Sequence, residues 1–210
     1  MAIHEGSHRA PASQPGTTHQ TPTTPTTPIA SATVRTGAGV FLMRSLAVVR
    51  LILGGVFLWA FADKAFGWGY ATPGGAAWID GGSPTKGFLS GVSAGPLEST
   101  FHSLAGQGWV DWLFMLGLLA IGVTLVAGFA LRFAAAAGTL MMGLMWLAEW
   151  PPARHLSDGA PSMSSNPIFD YHVVYAVVLI ALAAAYAGRT WGLSTLWERL
   201  PVVNRNRWSH

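Results

Sequence analysis

Cysteine is absent from the 210 residues, and charged residues make up only 10% of the chain. Without a thiol there is no disulfide, no thiolate-held iron–sulfur cluster or zinc, no C-x-x-C redox pair and no covalently attached haem. No metal, haem or iron–sulfur centre is therefore expected, and redox chemistry would need a bound organic cofactor or a partner subunit. Soluble domains carry about a quarter charged residues, so the deficit places the chain outside the ordinary globular class. Basic residues exceed acidic ones only by 12 to 9 and are scattered. Nucleic-acid binding, which needs a clustered basic patch, is excluded. The N-terminus lacks the short apolar core and small-residue cleavage site of a signal peptide, and the chain shows no internal repeat.

What is present is apolar: 51% of residues are hydrophobic, with 25 Gly and 10 Trp, a membrane-type composition. Residues 1–39, "MAIHEGSHRAPASQPGTTHQTPTTPTTPIASATVRTGAG", are the exception. Thr, Pro, Ser and Gly dominate without an apolar period, so this tail is expected to be disordered. His4, His8 and His19 lie too far apart in it to suggest a metal site.

A membrane domain is expected over residues 40–190. In "VFLMRSLAVVRLILGGVFLWAFADK" about 19 residues separate Arg44 from Asp63, roughly 28 Å of helix, close to the hydrocarbon thickness. A second span covers Val110 to Leu131, a third Phe133 to Trp150, and a fourth Tyr171 to Gly188, with Arg132 as the break between the second and third. The expected fold is all-α: an integral membrane four-helix bundle with a disordered N-terminal tail and short interfacial helices in the first outer loop. Residues 191–210 read as a basic tail.

With the N-terminus cytoplasmic, that side holds Arg9, Arg35, Arg44, Arg132, Arg189, Arg199, Arg205 and Arg207, against Lys64, Lys86 and Arg154 opposite. Both termini are expected in the cytoplasm of a multi-pass cell-membrane protein by the positive-inside rule. Asp63, Asp80, Glu98, Asp111, Glu149, Asp158 and Asp170 then make the outer face acidic. In the first outer loop "GGSPTKGFL" offers Ser83 as a cap and Pro84 as a first-turn residue. In "PLESTFHSL", Leu97, Phe101 and Leu104 form a small amphipathic face for lying on the bilayer or closing the bundle mouth.

Every span carries an ionisable residue at its outer end. Taken singly these mark where helices meet water, with Trp59, Trp68, Trp109, Trp112, Trp146 and Trp150 as the interfacial belt. Arg50 is different. It lies about 9 Å beyond Arg44 along the axis, deep enough to cost several kcal/mol unless it faces the bundle interior and finds a partner. Snorkelling past Leu46 is the alternative. At 100° per residue Arg50, Gly54, Phe57, Phe61 and Lys64 share one stripe, a candidate lining for a flat, partly polar ligand. Asp63 falls on another face and reads as an edge residue. His172 beside Asp170 could move protons near neutral pH, or simply hydrogen-bond at the interface. Gly117, Ala120, Thr124 and Gly128 form a small-residue ridge for helix contact.

Three segments, "RLILGGVFLWAFADKAFGWGYATPGGAAWIDGGSPTKGFL", "LAGQGWVDWLFMLGLLAIGV" and "NPIFDYHVVYAVVLIALA", resemble the DoxX/DoxD membrane protein family over residues 45 to 190. The resemblance implies a four-helix membrane protein, and the "GGSPTKGFL" loop resembles the DoxD branch, the membrane subunit of a thiosulfate:quinone oxidoreductase. It implies a quinone held by Arg50, Gly54, Phe57, Phe61 and Lys64, protons carried by His172 and Asp170, a small sulfur anion as donor, and a small partner subunit that nothing in this chain resembles. Many family members have no assigned reaction. The competing expectation is a non-catalytic anchor or scaffold for redox partner proteins. A transporter is weaker, because four spans without broken helices or an inverted repeat suit alternating access poorly.

Overall fold

The computed structural model describes residues 29–204; the tail over 1–28, with His4, His8 and His19, and residues 205–210 lie outside that range. The described residues form helices α1 (Ile29–Phe66), α2 (Lys86–Ser90), α3 (Glu98–Leu104), α4 (Gly108–Ala127), α5 (Leu131–Glu149), α6 (Tyr171–Ala184), α7 (Ser194–Trp197) and α8 (Pro201–Asn204). No strand occurs among them beyond an isolated His155–Pro161 bridge. α1 begins inside the segment expected to lack structure, so the border at residue 39 falls within a helix.

Three helices, α1 from Gly37 onward, α4 and α5, are long and apolar enough to cross a membrane, whereas α6 is a shorter apolar helix. Its 14 residues give about 21 Å, less than the hydrocarbon core. The fourth expected span therefore stops early: Tyr186 turns left-handed and a 3-10 turn, Ala187–Arg189, follows. Apolar residues remain exposed on every long helix, among them Ile52, Leu113, Leu116, Leu140, Val177 and Ile180. Such faces fit lipid, not water.

The helix ends have local causes. α1 stops where Gly67 takes φ 66° and donates its N–H to the Asp63 carbonyl at 2.8 Å. α5 stops at Trp150, just before Pro151, and α6 starts where Asp170 accepts from the Val173 N–H. The turn between α4 and α5 is Gly128 to Ala130, with both of those residues left-handed. Arg132 is not the turn; it lies inside α5 and donates to the Tyr186 hydroxyl at 2.8 Å. A single arginine has no conformational reason to reverse a chain, whereas glycine does.

α1 packs along α4 and α5 along α6, while α4 and α5 share less contact than either pair. The shared core takes Leu53 and Phe57 from α1, Met115, Ile121 and Leu125 from α4, Met142 from α5, and Leu179 and Leu182 from α6. α1 and α4 approach closely because a Cβ on Gly54 would sit 2.8 Å from Val126 Cγ2, and one on Gly122 2.7 Å from Leu58 Cγ. Only part of the expected ridge takes part in helix contact: Gly117 faces Met141 of α5, and Ala120 is exposed. A second cluster, Leu89, Val92, Phe101 and Ala148, seats α2 and α3 over the end of α5. Phe101 and its neighbours thus close the bundle mouth.

Gly122→Val should lower the thermal unfolding midpoint in detergent, at a cost of about 1–3 kcal/mol from overpacking. Gly143→Ala, where an added Cβ meets nothing within 4 Å, should leave the midpoint unchanged or raise it.

Candidate functional site

Arg50 is fully buried. Its Nη1 donates to the carbonyls of Leu125 and Val126, the latter at 2.9 Å, and its Nη2 to those of Thr190 and Trp191 at 3.4 and 2.9 Å. The last carbonyls of a helix have no intrahelical donor, and a cation is favoured at that end. Arg50 answers both demands for α4. The remaining ones are met nearby: the Leu193 N–H donates to Ala127 O at 2.9 Å and the Ser194 hydroxyl to Gly128 O at 2.7 Å. Residues 190–194, straddling the expected start of the tail at 191, are thus bound to the end of α4.

The stripe from Arg50 to Lys64 does face inward: Arg50, Gly54 and Phe57 are buried, Phe61 and Lys64 partly so. It does not enclose one ligand. Fourteen residues of helix separate the two cations by about 21 Å, Gly54 and Phe57 are packed against α4 and the core, and Phe61 packs against the same core. Asp63 is not an edge residue. It is 2% exposed and accepts the N–H groups of Tyr70 and Ala71 at 3.2 and 2.9 Å, folding the chain back after α1.

Lys64 lines something else. A crevice of about 410 Å³ opens between α4 and α5, floored by Gly117 and Ile121, walled by Leu113, Met141 and Met145, and roofed by Thr85, Phe88 and Phe101. Lys64 is its only charged lining residue, and among the described residues no ion pair involves the ammonium. Thr85 is held over it by Asp111, which accepts from the Thr85 N–H at 3.0 Å, the Thr85 hydroxyl at 2.6 Å and the Ser83 hydroxyl at 3.0 Å. Ser83 also accepts the Lys86 N–H at 3.2 Å, close to its expected capping role for α2.

The structure brings His172 and Asp170 together: Nδ1 lies 2.8 Å from Oδ2, with the imidazole buried and its Nε2 lacking a partner. It adds Glu149, whose Oε2 is 3.9 Å from Nδ1, and Tyr171, whose hydroxyl donates to Glu149 Oε1 at 2.7 Å. Neither Lys64 nor Arg50 belongs to this group.

Sequence reasoning missed the carbonyl cage of Arg50 and the α4–α5 crevice. Gly128, Gly188 and Gly192 were the available signal for the first. They meet backbone to backbone around the guanidinium, and a Cβ on Gly128 would lie 2.6 Å from Arg50 Nη1. Glycines at two span ends and just beyond the second mark a place where chain segments touch. Compared with family models, curated proteins and solved structures, the chain matches none.

Replacing Arg50 with Met should cost about 2–4 kcal/mol in thermal or denaturant unfolding, because four carbonyls, one buried and three partly buried, lose their donor. Arg50→Lys should recover only part, since one ammonium cannot match four carbonyls from two segments as the planar guanidinium does. Lys64→Met should change the unfolding free energy by no more than about 0.5 kcal/mol, the range of a substitution that breaks no ion pair or core contact.

Proposed function

We propose that this multi-span helical membrane protein binds a lipid-soluble quinone in the α4–α5 crevice and serves as the quinone-linked subunit of an oxidoreductase. The observation that carries the proposal is an apolar hollow of about 410 Å³ with one unpaired ammonium at its edge. Binding sites of this kind are mostly apolar with a few placed polar groups, and this volume is in their usual range. Lys64 would donate to a quinone carbonyl while the isoprenoid tail lies between Leu140, Leu144 and the lipid. Met141 and Met145 supply a lining that adapts to an irregular ligand. Arg50, occupied by backbone carbonyls, is a structural residue here and not a ligand-holding one.

The oxidoreductase part follows from the DoxX/DoxD resemblance, which the three quoted segments alone carry. It makes a small sulfur anion such as thiosulfate the candidate donor, arriving on the Lys64 side of the membrane, taken as the outer side with both termini cytoplasmic. The acids of that side remain negative, so the anion's approach relies on the basic groups there. Asp63, Asp111 and Glu98 are each bound to N–H or O–H donors, whereas Lys86 is exposed and free to attract.

Protein purified from its own membranes should carry about one extractable quinone per chain. Lys64→Ala should weaken it at least tenfold, and Gly117→Leu, which fills the crevice, should abolish it. Quinone titration by quenching of Trp109, a crevice residue, measures both. Membranes containing the chain should then reduce quinone with thiosulfate. Quinone-free protein that co-purifies with a redox enzyme would instead make the chain an anchor for that enzyme.

A further inference from the structure

We propose that Glu149, Asp170 and His172 bind one divalent first-row transition cation, with zinc and manganese as representative ions. Each offers one ligand atom, and the three atoms lie within 4.8 Å of one another. Around one such cation, ligand atoms about 2.0–2.2 Å from the metal stand roughly 3–3.6 Å apart. The observed 2.8 Å from His172 Nδ1 to Asp170 Oδ2 and 3.9 Å to Glu149 Oε2 bracket that spacing. To ligate one ion the exposed Glu149 carboxylate moves inward, and the hydrogen-bonded His172–Asp170 pair gives up its shared proton and parts slightly.

The arrangement is built and not a chance meeting of surface acids. His172 is 1% exposed and directs Nδ1 at both carboxylates. Each carboxylate is oriented by its second oxygen: Asp170 Oδ1 accepts the Val173 N–H at 3.1 Å, and Glu149 Oε1 the Tyr171 hydroxyl at 2.7 Å. Metal ligands are commonly fixed by such outer partners. Among the described residues no lysine or arginine pairs with either acid. Two carboxylates and a neutral imidazole carry two negative charges, matching a divalent ion. The positive N-terminus of α6 is countered by the negative C-terminus of α5, so these side chains set the local field. One nitrogen and two oxygens suit zinc, manganese or iron(II) and leave positions open for water.

The site does not depend on quinone binding, and its test uses no quinone. Full-length protein in detergent, stripped with a chelator, is titrated with zinc by calorimetry and with manganese by electron paramagnetic resonance. One ion per chain is expected. Glu149→Gln and Asp170→Asn should each weaken it at least tenfold, while Asp80→Asn, an exposed acid elsewhere, should leave it unchanged. Glu149→Gln keeps an acceptor for Tyr171 and Asp170→Asn keeps a helix cap, so both should fold. Zinc should raise the unfolding midpoint of the wild type and not of Glu149→Gln. Absence of a stoichiometric ion, or wild-type affinity in both variants, would overturn the proposal and leave the imidazole as a hydrogen-bonded bridge between two acids.

Discussion

One guanidinium organises this bundle. Arg50 sits where neither lipid nor an apolar core can hydrate it, and an unpaired charge there would cost several kcal/mol. Its solution is to draw carbonyls from two chain regions, the end of α4 and the turn after α6, toward its own helix. The same contacts settle the backbone. Each carbonyl from Thr124 to Gly128 receives a donor: Gly128 N–H, Arg50, Leu193 N–H or the Ser194 hydroxyl. A helix terminus whose last carbonyls all have donors carries no orphan acceptor. Three glycines are needed there because three backbones and a planar cation share one small volume.

The opposite end is built on different terms. Its acids hold loops: Asp63 the return after α1, Asp111 the approach to α2, Asp170 the start of α6. Glu98 accepts from the Ser157 hydroxyl, whose backbone N–H donates to Ser93 O, tying the two long loops together. Carboxylates that accept several N–H or O–H groups act as backbone organisers, so a chain short of charge can place many of its acids at one end without leaving them idle. Among the described residues these bonds leave the Lys64 ammonium, which lines the hollow beside them, without an acid partner. The paired indoles of that end, Trp59 tilted against Trp68 at 5.3 Å and Trp146 edge-on to Trp150 at 5.6 Å, fit the polar boundary of a bilayer.

Helices of this length announce themselves, because twenty apolar residues leave few other options; the all-helical class and the inward face of Arg50 were legible for that reason. So was the role of Phe101, whose i, i+3 and i+4 neighbours predict a buried face. Partners were not legible. An arginine's wish for acceptors can be read from its depth, but carbonyls carry no sequence label, so the ligand cavity imagined around Arg50 had the right face and the wrong occupant. Asp63 illustrates the same limit: nothing in the order of residues says that the chain after Gly67 doubles back to offer two N–H groups. The shortened α6 escaped because its apolar pattern continues through Ala185 and Ala187 while its backbone does not.

The two candidate sites share α5 but not a surface. Ala148 borders the crevice and Glu149, the next residue, joins Asp170 and His172. Consecutive helical residues point about 100° apart, so the last turn of α5 forms a wall between an apolar chamber toward α4 and a charged one toward α6. The Gly128–Ala130 turn ties α4 and α5 at one end, and the Leu89–Phe101–Ala148 cluster seats α2 and α3 beside α5 at the other. Between those fixed ends Gly117, lacking a side chain, leaves the gap that Met141 only partly enters. The hollow is therefore a consequence of how α4 and α5 are held, and its broad apolar opening lies along their exposed flanks. Leu140 and Leu144 line that hollow together with Lys64, so its wall is apolar with a single charged group.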